Sequence, residues 1–143
     1  MPQIKTRADE SEVMYYNNPE VPFYVGENWL SLYPNREMLC HWHEDIEYIH
    51  ALEGSMVYHV NGQAVRLEAG KALVINSRQL HHAFADGDQD CFYLCVVFRP
   101  EILSSNFSLR CNYIDPTIEA PGPYLLLPGE DPICGYLDRA AQL

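Results

Sequence analysis

The segment His41-Trp42-His43-Glu44-Asp45-Ile46-Glu47 puts two imidazoles one residue apart, a carboxylate four positions after the second, and Gly54 seven beyond that. A third imidazole, His81, ends a strand-like stretch that opens at Gly70. Imidazole and carboxylate are the groups a protein offers to zinc, iron, nickel or manganese. Strand side chains alternate with period two, so His41 and His43 share a face. If the strand continues, Glu47 shares that face as well. If the chain turns at Glu44-Asp45, hairpin pairing must return Glu47 to the histidines. Either route gives a cluster that His81 can complete. A plain polar sheet face also carries histidines and acids; the order and spacing of this set favour a metal-type cluster.

Twenty acidic against nine basic side chains give a net charge of −11. Such a surface repels phosphate backbones, so these residues are not expected to bind nucleic acid. No window approaches the apolar length of a membrane span, and Met1-Pro2-Gln3-Ile4-Lys5 lacks the apolar core of a signal peptide. Cys40, Cys91, Cys95, Cys111 and Cys134 form an odd set without C-x-x-C spacing, which reads as free thiols in a reducing cytosol. A cytoplasmic location follows from that reading. The length suits one domain with a core of moderate size.

Residues 1–22 read as a polar, acidic arm that carries the apolar cluster Met14-Tyr15-Tyr16 and ends in Pro19 and Pro22. From Phe23 to about residue 100 the chain reads as strand after strand. Phe23 to Val25, Trp29 to Tyr33, Glu47 to Leu52 and Ser55 to Val60 come first. Asn61-Gly62 then marks a tight hairpin, because a type I′ turn needs positive φ at both central residues. Gln63 to Leu67, Ala72 to Ile75, His81 to Ala85 and Cys91 to Phe98 complete the set. Short strands with turn signals between them predict an all-β, eight-strand jelly-roll barrel. Residues 101–143 read as one helical turn after Pro100, an irregular proline-containing stretch to about 129, and a short C-terminal helix. Asp131 caps that helix and Pro132 is its first residue. Ile133, Leu137, Ala140, Ala141 and Leu143 form its apolar side, and the sequence stops there as if cut within a longer protein.

H-x-H, three or four residues, Glu, six residues and Gly is the first motif of the cupin superfamily, and His41, His43, Glu47 and Gly54 resemble it. Gly70 and His81 match the ends of the second motif, while Ser77 and Arg78 stand where Pro and Gly are usual. Over residues 23–100 the ordered set also resembles the N-terminal sensor domain of AraC-type transcriptional regulators. Its carriers are His41-Trp42-His43, Ile46-Glu47, Leu52-Glu53-Gly54, Val60-Asn61-Gly62, Leu67-Glu68-Ala69-Gly70, Val74-Ile75-Asn76 and His81. The resemblance implies a double-stranded β-helix whose interior takes a small-molecule effector, a sugar or a small organic acid. It also implies a helix used for homodimerisation and DNA binding by a later part of the parent protein.

Tyr58 or His59, and one of Trp29 or Trp42, are the pocket residues expected to touch a ligand, since an aromatic ring with convergent polar groups suits such molecules. His41, His43, Glu47 and His81 are the candidate ligands for zinc, nickel, iron or manganese, and no residue is assigned a catalytic role. The alternative is a stand-alone metal-dependent cupin enzyme of isomerase or dioxygenase type, using the same four ligands with open positions for substrate. The acidic arm and the C-terminal helix favour the sensor.

Overall fold

The structure is a computed structural model and describes residues 4–103 and 106–142. Its strands are β1 (Phe23–Trp29), β2 (Ile46–Val60), β3 (Gln63–Glu68), β4 (Lys71–Ile75), β5 (His81–Ala85), β6 (Cys91–Phe98) and β7 (Tyr124–Pro128). All pairings between them are antiparallel, in the order β1-β6-β2-β4-β7, with β3 and β5 flanking the second half of β2. Seven named strands stand among the described residues where eight were expected. The segment before β2 supplies further pairing, with antiparallel bridges Glu37 to Phe84 and His41 to His81.

β2 organises the barrel because it belongs to both sheets. Its first half pairs with β4 and β6, its second with β3 and β5. Between them the register against β6 slips at Ala51/Glu53, a bulge that leaves Leu52 without a partner. A bulge adds one residue and bends the strand. It also reverses which residue parity faces inward. Glu47, Ile49 and Ala51 are buried before it, and Met56, Tyr58 and Val60 join Ile49 and Ala51 in the inner core after it. Gly54 makes the crossing possible. Its φ is +72°, and a Cβ there would lie 1.9 Å from the Asp90 carbonyl oxygen. At the far end, Asn61 and Gly62 take the positive φ values of the expected hairpin turn.

A second core lies on the outer face of the larger sheet. Tyr48, Ala72, Leu94 and Val96 pack there under Cys134, Leu137 and Ala141. These last three belong to or adjoin the C-terminal helix Pro132–Ala140, which starts as expected, with Asp131 Oδ1 accepting from Ile133 N at 2.9 Å. The buried stripe is rotated from the expected one: Cys134 is buried and Ile133 is 48% exposed. Leu143 lies outside the described residues. Between 101 and 129 the chain is more regular than its prolines suggested. It makes the short helices α1 (Phe107–Leu109) and α2 (Asp115–Ile118), joined by a π-helical turn, and then β7, which pairs with β4. The C-terminal helix is therefore α3. Trp29 ends β1 rather than opening a strand, and Leu30–Leu32 is a 3-10 turn.

Candidate metal centre and cavity

The chain bends at Glu44 and Asp45, so neither a continuous strand nor the expected hairpin pairing joins the two segments. His41 bridges to His81, Glu47 pairs with Ile75 and Val97 in the larger sheet, and closure of the barrel sets Glu47 beside the histidines. His41 is bridged to His81 by main-chain bonds of 3.0 and 2.9 Å, which holds two of the rings side by side. His43 is held by Arg78 N, which donates to its carbonyl at 2.8 Å. One donor atom from each of His41, His43, Glu47 and His81 lies within 4.8 Å of all the others, and all four residues are buried.

Each ring turns its Nδ1 to a main-chain carbonyl. Nδ1 of His41 lies 2.7 Å from the Leu39 carbonyl, that of His43 2.9 Å from Asp45, and that of His81 2.7 Å from Gln79. A carbonyl only accepts, so each Nδ1 carries the proton and each Nε2 is turned inward as the ligating atom. Such backbone anchoring of the outer nitrogen is the support metal-binding imidazoles need. Glu47 Oε2 sits 2.9 Å from Nε2 of both His43 and His81, and Cys95 Sγ donates to Glu47 Oε1 at 3.5 Å.

The electrostatics fit a cation. Burial, with His81 alongside, lowers the His41 pKa to about 3, which keeps that ring neutral and ready to ligate. Burial works against a charged His43 too, but its hydrogen bond and charge interaction with Glu47 prevail and raise its pKa to about 9. Against its own burial, Glu47 is held well below the ordinary carboxylate range by His81 and His43. Three inward imidazoles and one carboxylate fit zinc, nickel, iron or manganese. A bound divalent ion would act there as a Lewis acid toward an oxygen-bearing ligand.

A cavity of about 280 Å³ opens from this cluster into the barrel, with His41 and Glu47 in its wall. Tyr24, Tyr33, Tyr58 and Tyr93 line it with Asn28 and Cys95. β1 and β6 bring Tyr24, Asn28, Tyr93 and Cys95 together because Tyr24 pairs with Val97, Gly26 with Cys95 and Asn28 with Tyr93, while Tyr58 comes from β2 and Tyr33 from the turn after Leu30–Leu32. The arm closes one side through Glu12, Val13, Met14 and Tyr15. It is a small hairpin pinned to the histidine segment. Glu12 N donates to Trp42 O at 2.8 Å, Trp42 N to Glu10 O at 3.1 Å, and Val13 N back across the hairpin to Lys5 O at 2.7 Å. Further along, Tyr16 Oη donates to the buried Asp45 at 2.7 Å.

Of the pocket residues named from sequence, Tyr58 lines the cavity and Trp29, Trp42 and His59 do not. Trp29 has the parity opposite to Asn28 and lies against Phe92, ring centroids 5.1 Å apart. Trp42 points away from its neighbouring histidines, and its Nε1 donates to the Asp9 carbonyl of the arm. His59 falls on the other side of the bulged strand and joins His82 and Phe84. Sequence reading missed Tyr24, Tyr33, Tyr93 and Glu12. Alternation of Tyr93, Cys95 and Val97 on β6 was the available signal for one wall; nothing local marked Glu12.

Residues 28–97 match the family model for the Cupin domain, and the barrel has the cupin fold. Over 119 residues the chain is 28% identical to YdeC, an uncharacterized HTH-type transcriptional regulator of Bacillus subtilis (strain 168). That alignment takes in 82% of this chain and 40% of the regulator, so the chain spans well under half the length of this curated relative. A cupin protein from Bacteroides fragilis superposes with a TM-score of 0.51 at 22% identity, over 59% of this chain and 72% of that one. The Cnp3 cupin domain of Schizosaccharomyces pombe gives a TM-score of 0.51 at 13% identity, over 60% and 61%. At these identities the two structures speak for the fold alone. Among the described residues no helix is long and apolar enough to cross a membrane.

Proposed function

We propose that this chain is the small-molecule effector-sensing domain of an AraC-type transcriptional regulator. The observation that carries the reading is the arm hairpin closing a tyrosine-lined cavity of about 280 Å³. Similarity to an HTH-type regulator over 82% of the chain supports it. Ring faces and hydroxyl groups suit a sugar or a small organic acid. In this reading the domain works in the cytoplasm as a homodimer, and another part of the parent protein binds DNA. With a net charge of −11, these residues themselves do not.

A second reading is favoured by one feature, that His41 and Glu47 of the metal cluster face the same cavity. It is a metal-dependent enzyme of isomerase or dioxygenase type, in which substrate approaches the ion from the cavity. A thermal-shift panel of sugars and small organic acids, run with zinc- and nickel-loaded protein, separates the two readings. A sensor gives a compound that raises the melting temperature by mass action and is recovered unchanged. Conversion of the bound compound on prolonged incubation would overturn the sensor reading and leave the enzyme.

A further inference from the structure

Glu12 is an ionisable side chain in an unusual place. It sits on the arm, yet its side chain is only 18% exposed, and Oε2 lies 3.5 Å from His41 Nε2 and 3.9 Å from His43 Nε2. Among the described residues those two imidazoles are its ion-pair partners. A buried carboxylate with weak partners is costly, and a cation within reach removes the cost. Nor is its position left to a flexible side chain. Main-chain bonds tie Glu12 N to Trp42 O and Trp42 N to Glu10 O, and Trp42 is the residue between the two histidines. The backbone of the arm is thus in register with the H-x-H segment itself.

Charge balance points the same way. Three neutral imidazoles and Glu47 around a divalent ion leave one positive charge buried. A second carboxylate brings the sum to zero. Four protein donors also leave coordination positions open for iron, nickel or manganese, which commonly take more than four ligands. Glu12 approaches on the cavity side, since it lines the cavity with His41 and Glu47.

We propose that Glu12 is a fifth protein donor to the metal centre, carried in by the arm, so that loading the metal fastens the arm over the cavity. The proposal rests on the four-residue cluster being a metal site. A ligand that reaches the ion from the cavity must then displace Glu12 or bind beside it.

The test uses cobalt(II) and zinc(II) alone, on the full chain and its Glu12→Gln and His81→Ala variants. Cobalt titration followed by visible absorption gives affinity and coordination together. Hydrogen exchange with and without zinc gives the state of the arm. The expected result is at least tenfold weaker cobalt binding in Glu12→Gln, with an altered d–d spectrum, and near-complete loss in His81→Ala. Zinc should slow exchange at residues 6–13 in the natural chain and leave it unchanged in Glu12→Gln. Equal affinity and spectrum in Glu12→Gln overturn the role of Glu12 and leave the four-residue centre standing. Unchanged exchange of the arm in metal-loaded natural protein, a readout that needs no variant, overturns the fastening. If the natural chain binds neither ion, the metal site and the proposal fall together.

Discussion

Arg78 has φ +64° in the turn that leads the chain into His81. This is the position where the resembling motif has Gly, and the turn keeps its left-handed backbone with a side chain that resists it. Arg78 N still donates to His43 O, and Ser77 Oγ donates to Glu44 O at 2.7 Å, so the turn braces the first histidine segment. The left-handed conformation costs a non-glycine residue about 1–2 kcal/mol, partly offset by the chain entropy that Gly loses on folding. Arg78→Gly should therefore stabilise the protein by about 0.5–1 kcal/mol. Its exposed partner Glu44, at 3.9 Å, is a minor loss. A urea midpoint that falls, with unchanged slope, would contradict this account. The four metal-type residues were legible in the sequence because parity marks His41 and His43, and motif order adds Glu47 and His81. Glu12 was not, because its place depends on main-chain pairing between segments thirty residues apart, which no local pattern records.

At the level of elements, α3 is fastened to the barrel by one carboxylate as well as by apolar packing. Asp138 Oδ1 accepts from Tyr48 Oη at 2.9 Å, and Oδ2 lies 3.0 Å from His50 Nδ1. Tyr48 is fully buried, and without Asp138 its hydroxyl keeps only the weaker Cys134 thiol as a partner, at a cost of about 1–3 kcal/mol. Asp138→Ala should lose that much in urea denaturation and open residues 129–142 to limited proteolysis, whereas Asp138→Asn should keep most of both. Equal protease resistance in Asp138→Ala would show that Cys134, Leu137 and Ala141 hold the helix alone. The sequence revealed the start of α3 through its Asp-Pro signal but hid β7. Pro123 and Pro128 bracket that strand, and proline is tolerated there because β7 is an edge strand paired on one side. It also hid the bulge, and with it the parity of every residue after Leu52. Tyr58 and His59 therefore stayed indistinguishable until the strand was seen whole.

For the molecule as a whole, the alkaline side is the weak one. Burial raises Tyr33 and Cys91 to about 12, and burial together with the hydrogen bond to Asp45 does the same for Tyr16. Folded-state pKa values above the ordinary 10 for tyrosine and 9 for cysteine mean that unfolding favours deprotonation. Their contribution is intact below about pH 9 and is lost as pH rises through about 12. The melting temperature should fall steeply over that range, and Tyr33→Phe should flatten the slope; an identical slope would remove Tyr33 from the account. The partnerless Leu52 bears on a different property, the tolerance of this barrel to changes in chain length. Ala51 faces Tyr93 and Glu53 faces Phe92, so excising Leu52 leaves every other pair of β2 in place and every side chain on its own side. Leu52 is 38% exposed, so less burial is lost with it than with a core residue. Excising Val57 instead turns Tyr58 and Val60 out of the barrel and His59 into it. The first shortened chain should melt cooperatively and the second should not, which makes the bulge the point in β2 where a family sharing this strand can gain or lose a residue without rewriting the rest.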